Sequence, residues 1–159
     1  MDAIPAQSFA RNDVNEKNVK VDQIYDHIKR ALTPGAHTNP VPGGVTFPDL
    51  TQAKTIPGST PRNPLSRTRY SPDRKTNHAM SYEVCQLEFG EAVTKQPGME
   101  CDEFPFASTE QGAAFAKPRH NFSVQMLSKA QNQGYGAVLT AWYSNNRILR
   151  TDKFYMRLK

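Results

Sequence analysis

Asn121-Phe122-Ser123-Val124-Gln125-Met126-Leu127 and, beginning nine residues further on, Gly136-Ala137-Val138-Leu139-Thr140-Ala141-Trp142-Tyr143 are the runs on which the fold turns. In the first, polar and apolar residues alternate, which puts Phe122, Val124 and Met126 on one face of a strand. In the second, Val138, Leu139, Trp142 and Tyr143 recur at helical spacing, and Ala137 and Ala141 allow close approach. A helix is therefore predicted from Gly136 to about Arg147. Lys153-Phe154-Tyr155-Met156-Arg157-Leu158 reads as a terminal strand. With Phe104 to Ala107 taken as the end of an earlier strand, the order is strand, strand, helix, strand: an α+β core with an antiparallel sheet.

The residues able to do chemistry flank this core. Glu100-Cys101-Asp102-Glu103 puts three carboxylates within four residues, followed by the apolar Phe104-Pro105-Phe106. On an extended chain Glu100 and Asp102 share a face and Glu103 points the other way. Crowded carboxylates suit holding a divalent cation or strengthening an Asp base; the same spacing also fits a solvated acidic turn. Gln131-Asn132-Gln133-Gly134-Tyr135-Gly136 precedes the predicted helix. Its glycines would let a phosphate approach backbone N–H groups, and Asn132 offers a hard carbonyl oxygen for magnesium or calcium. A flexible polar turn is the alternative.

Upstream, Arg62, Arg67, Arg69, Arg74 and Lys75 face a single acid, Asp73, with Tyr70 among them. This is either a run of phosphate contacts or a solvated basic loop. Arg147, Arg150, Lys153 and Arg157 form a second basic cluster. Contacts of that kind hold a nucleic-acid backbone without reading bases, and weaken steeply with salt. Between Lys75 and Cys101 no regular element is read. From Thr33 to Pro64 the prolines and glycines, Pro42, Gly43, Gly44 and Pro48 among them, exclude helix and long strand. Before that, Val21, Ile24, Tyr25, Ile28 and Leu32 mark an amphipathic helix within residues 17–32. His27 lies between charged neighbours and reads as a surface histidine. His37 carries no signal. His78 and His120 are the remaining histidines; His120, beside Arg119 at a strand start, could touch the site, and a structural or surface role is the favoured reading. The boundary falls between residues 1–61, a helix and an extended wrapping segment or linker, and residues 62–159.

The whole chain sets the limits. Its 159 residues suffice for one domain with a real core. It is 37% hydrophobic and 22% charged, and no apolar run approaches the roughly 20 residues of a spanning helix, which excludes a transmembrane protein. A formal charge of +5 favours polyanionic partners. Met1-Asp2-Ala3-Ile4-Pro5-Ala6 lacks a basic and an apolar region, so no signal peptide is read in this chain. Cys85 and Cys101 are either a disulfide, pointing to an oxidising destination, or two buried thiols.

Cys101-Asp102-Glu103-Phe104-Pro105-Phe106-Ala107-Ser108-Thr109-Glu110-Gln111-Gly112 resembles the signature of the NucA/NucB deoxyribonuclease family. That signature is Asp-Glu, an aromatic, Pro, an apolar residue and Ala, with Glu and Gly a few residues on. Asn132-x-Gly134-x-Gly136 resembles the family's second block, and Trp142-Tyr143-Ser144-Asn145-Asn146-Arg147-Ile148 a third. The resemblance runs from about Arg62 to Lys159 and implies a ββα-metal nuclease core. It implies Asp102 as general base, Asn132 as helix-borne metal ligand, and Glu103, Glu110 and Gln131 as further acidic or ligand positions. Arg147 would stabilise a phosphate, with Asp102, Glu103 and Arg147 forming the catalytic set. Where some members have Asp-Arg-Asp-Glu, this chain has Glu100-Cys101-Asp102-Glu103, so the charge of that arginine must be supplied elsewhere; where relatives are acidic before the Asn, it has Gln131. A Cys at 101 with a second upstream matches the branch in which Cys85 and Cys101 pair.

The expected function is metal-dependent, non-specific hydrolysis of DNA phosphodiester bonds with Mg²⁺, or alternatively Mn²⁺. A non-catalytic nucleic-acid-binding module is the competing reading. Two contexts suit the chain: a secreted scavenging nuclease, or the toxin domain of a secreted effector, delivered into a target cell and neutralised at home by an immunity protein.

Overall fold

The computed structural model describes residues 3–40, 54–116 and 121–159. The expectations for Pro42, Gly43, Gly44 and Pro48 as extended chain, and for Arg119 and His120 beside the site, lie outside these residues. In chain order the elements are β1 (Ala6–Phe9), α1 (Asp22–Leu32), β2 (Leu65–Ser66), α2 (Ser71–Phe89), α3 (Glu91–Thr94), β3 (Met99–Phe104), α4 (Ala113–Ala116), β4 (Ser123–Ser128), α5 (Lys129–Asn145) and β5 (Lys153–Leu158). The predicted succession of strand, strand, helix and strand is present as β3, β4, α5 and β5, in a mixed α+β fold.

β3 and β4 pair antiparallel, with Asp102 opposite Gln125 and Phe104 opposite Ser123. The alternation seen in the sequence sorts their two faces. Phe122 and Val124, with Met126 at the margin, join Cys85, Cys101 and Ala113 in one apolar cluster under α2. Phe104 and Leu127 turn to the other side, into a larger core with Ile24 and Ile28 of α1 and Tyr135 and Leu139 of α5. This small sheet is covered on both faces, by α1 and α5 on one and α2 on the other. A second sheet has the order β1-β5-β2, with β1 parallel and β2 antiparallel to β5. Phe9, Val21, Ile24, Tyr25 and Ile28, all before position 61, belong to the same core as Phe104, Tyr143 and Phe154.

Two helices depart from the expectation. α2 runs for 19 residues through a region read as basic loop followed by no regular element. Its buried stripe is Asn77, Ser81 and Cys85, spaced at one helical turn, so apolar periodicity had nothing to register. Pro72 in its first turn and Gly90 at its end are the punctuation that marks it. α5 starts at Lys129, seven residues earlier than predicted, so Asn132, Gly134 and Gly136 are helical. Glycine inside a helix costs about 1 kcal/mol relative to alanine, yet at position 134 a side chain would crowd the tip of Asn15. A Cβ there would lie 2.6 Å from Asn15 Nδ2. Packing against the N-terminal segment overrides the local preference.

Cys85 and Cys101 form a disulfide across 16 positions, tying the C-terminal part of α2 to β3 immediately before Asp102. Replacing both by Ser is expected to cost on the order of 3 kcal/mol and to lower the melting temperature by roughly 6–12 °C. Thermal unfolding of oxidised wild type beside the double variant measures it; equal midpoints would mean the crosslink contributes nothing.

Candidate active site

Among the described residues β3 pairs with β4 along one edge only, and residues at its end border a cleft of about 440 Å³. Facing an open edge lets successive residues contribute to one space although their side chains lean to opposite faces of the sheet. Asp102 and Glu103 both line the cleft, joined by Asn132 from the first turn of α5 and by Arg74 and His78 from α2. Arg67 and Arg69, between β2 and α2, complete the basic wall.

The carboxylates differ in their surroundings. Asp102 is 7% exposed, and its Oδ2 lies 2.5 Å from Nδ1 of His27. The other ring nitrogen, Nε2, is 2.8 Å from Oγ of Ser123. His27 is wholly buried, which overturns its reading as a surface histidine. The charged neighbours in sequence, Asp26 and Lys29, misled; the helical phase does not. Ile24, His27, Ile28 and Ala31 follow the i, i+3, i+4, i+7 pattern of a buried stripe, and all four are buried.

Glu103 turns toward α2, with Oε1 3.7 Å from Nδ1 of His78. Burial raises the Glu103 carboxyl above the usual range; the nearby His78 ring opposes this, and the charge of Asp102 adds to it. His78 is held above the ordinary imidazole range by the carboxylate of Glu103 beside it, against a smaller effect of desolvation. Sequence reasoning gave His78 no part in the site because it did not see the helix that carries it.

Asn132 donates from Nδ2 to Glu100 Oε2 at 3.0 Å and, less closely, to the carbonyl oxygen of Cys101 at 3.4 Å. Gln133 also donates to Glu100, at 3.1 Å. With its nitrogen committed to β3, the Asn132 side chain keeps its carbonyl oxygen as the end available to a ligand. Among the described residues no three His, Cys, Asp or Glu side chains form a ligand cluster. Besides Asp102, the cleft offers a hard cation the oxygens of Asn132 and Glu103. That small set fits an ion such as Mg²⁺, which keeps several of its waters.

The loop after β3 is pinned from α2. Buried Asn77 donates from Nδ2 to the carbonyl oxygens of Ala107 and Thr109, at 3.0 and 3.1 Å, and accepts from the N–H of Ala114 at 3.1 Å. Gly112 is required by this contact, since a Cβ there would lie 2.2 Å from Asn77 Nδ2. Arg67 is also fixed: its guanidinium lies 4.3 Å from the centroid of the Tyr143 ring and donates to the carbonyl oxygen of Ile148. Tyr143 in turn hydrogen-bonds Ser108 at 3.0 Å, and burial pushes its phenol up to about 12.

Of the residues singled out from sequence, the structure thus brings Asp102, Glu103, Asn132, Arg67, Arg69 and Arg74 together. It does not bring Arg147, Glu110 or Gln131 to them. Arg147 is exposed beyond the far end of α5, roughly 20 Å along the helix axis from Asn132. Glu110 is exposed and borders a different depression, with Gln111 and Phe115. Gln131 points to α1, donating to Asp22 and accepting from the N–H of Gln23. A helix turns 100° per residue, so Gln131 and Asn132 diverge, a divergence that reading residues 131–136 as a turn concealed. Arg62, Lys75 and Lys153 are exposed outside the cleft, and Arg150 lies 5.8 Å from the ring centroid of Tyr70 at the start of α2.

No curated protein matches the chain in a sequence comparison. The pattern of one family, described as Deoxyribonuclease NucA/NucB, matches residues 53–157, more than half the chain and all of the cleft residues just described. On that match the protein belongs to the NucA/NucB family of deoxyribonucleases.

Proposed function

We propose that the protein is a metal-dependent endodeoxyribonuclease without sequence preference, and that Asp102 is its general base. The observation that carries this reading is the meeting of Asp102, Glu103 and Asn132 in one cleft walled by Arg67, Arg69 and Arg74. The carbonyl oxygen of Asn132 and the carboxylate of Glu103 are the groups that would hold a Mg²⁺-class ion, with Mn²⁺ as an alternative. Bound there, such an ion would neutralise charge on the phosphoryl oxygens and orient the scissile phosphate. Asp102 takes a proton from water as its oxygen bonds to phosphorus. The bond from phosphorus to the 3′ oxygen breaks, and that oxygen takes a proton from solvent. The three arginines hold flanking phosphates and supply positive charge that the Cys at position 101 cannot, without touching base edges.

Incubation of supercoiled plasmid with the oxidised protein and Mg²⁺ tests this. Nicked, then linear, then fragmented DNA of unrelated end sequences is expected, and none in EDTA. Full cleavage in EDTA would remove the metal from the reading, and binding without cleavage in either metal would favour a binding module instead.

The Cys85–Cys101 bond supports action in an oxidising place, by secretion or delivery out of the cell that makes the protein. Among the described residues no helix is long and apolar enough to cross a membrane. An effector role with an immunity partner predicts toxicity on cytosolic expression that a neighbouring reading frame relieves; a scavenging nuclease predicts no such frame.

A further inference from the structure

We infer that His27, on a helix outside the stretch that matches the family, is a positioning residue for Asp102, and that the N-terminal segment is thereby part of the catalytic apparatus. This rests on Asp102 being the base.

The geometry is specific. The His27 ring is 0% exposed, and both of its nitrogens are engaged by different strands: Nδ1 with Asp102 of β3 at 2.5 Å, Nε2 with Ser123 of β4 at 2.8 Å. An ionised carboxylate only accepts, so Nδ1 carries the hydrogen, and in the neutral ring Nε2 accepts from the Ser123 hydroxyl. A ring gripped at both ends cannot swing, and a charge-assisted hydrogen bond fixes the carboxylate it touches. Asp102 lines the cleft beside a second carboxylate, Glu103, on a strand whose other edge has no partner among the described residues. His27 holds Oδ2 from the core side, which leaves the remaining oxygen for the cleft. The backbone of α1 is itself anchored by Ile24 and Ile28 in the main core, so the hold is rigid.

A buried histidine that merely satisfies a core carboxylate would look similar, and would change stability more than turnover. The test separates the two. His27→Asn places an amide nitrogen where Nδ1 was, whereas His27→Gln reaches toward the Ser123 end, and both keep a polar side chain of similar size. Turnover of plasmid DNA at saturating Mg²⁺ is expected to fall about 10- to 100-fold in His27→Gln and in His27→Ala. In His27→Asn it should stay within several-fold of wild type, with KM for DNA unchanged throughout. In an Asp102→Asn background His27→Ala should bring no further loss, because its effect passes through the group already removed. Equal turnover in the Asn and Gln variants, or an undiminished loss in the Asp102→Asn background, would overturn the assignment. If His27→Ala does not fold, the Asn and Gln pair decides. A near-normal rate in Asp102→Asn alone would instead defeat the choice of base, a distinct result.

Discussion

Asp102→Asn is expected to lower turnover roughly 10³-fold, the range in which general-base catalysis contributes, while DNA binding and folding persist. The substitution is nearly isosteric, and its remaining carbonyl oxygen can still accept from Nδ1–H of His27, so the hydrogen bond behind β3 is kept. Arg67, Arg69 and Arg74, which line the cleft and are proposed to hold the phosphate backbone, are untouched. An amide, however, cannot take a proton from water at neutral pH. The measurement is single-turnover cleavage with excess enzyme, beside Kd by fluorescence anisotropy in EDTA and the melting temperature. Retention of more than a few per cent of the wild-type rate would strip Asp102 of its role. A parallel collapse of Kd and melting temperature would show that the carboxylate is structural.

The site was legible in the sequence where the chain is extended and only partly where it is helical. Successive strand residues at an open edge share a cleft, so the acidic run at 100–103 could be read as one site without knowing what lies on either side. β4 announces itself by period-two alternation, whereas β5 is a short apolar run. β3, buried on both faces over its second half, shows no alternation and ends at Phe104, where the sequence places the end of a strand at 104–107. Helices hide more. α2 turns Asn77, Ser81 and Cys85 inward, and a polar stripe carries no hydrophobic period, although these residues pin the loop after β3 and hold the disulfide. His78 was lost with that helix. His27 was the opposite failure: its helix was recognised, its phase was correct, and the residue was nevertheless judged by its neighbours in sequence rather than its neighbours one turn away. Arg147 and Gln131 show the limit of carrying roles by motif. Each lies in or just after α5, yet one is beyond its far end and the other on a face turned to α1. The earlier start of that helix is what brings Asn132, together with Gln133, to Glu100.

Of these two residues, Asn132 is the one that lines the cleft, and its replacement separates the two ends of one small side chain. Asn132→Ala removes both the carbonyl oxygen and the Nδ2 hydrogen bond to Glu100, 3.0 Å away. Loss of the hydrogen bond is a stability effect of about 1 kcal/mol. Loss of the oxygen should lower cleavage at limiting Mg²⁺ by at least about 100-fold, since a bound cation supplies several kcal/mol of charge stabilisation. Much of that should return as Mg²⁺ is raised. Asn132→Asp isolates the other effect, because it restores an oxygen but sets a carboxylate against Glu100 where an amide nitrogen had donated. Repulsion at that distance should destabilise the variant in EDTA, and added Mg²⁺, by sitting among the carboxylates, should recover the melting temperature more than it does for wild type. Rate against Mg²⁺ concentration and melting with and without the ion measure both. If Asn132→Ala followed the wild-type Mg²⁺ curve, the amide would be only a strap between α5 and β3, and the cation would have to be held by Glu103 without it.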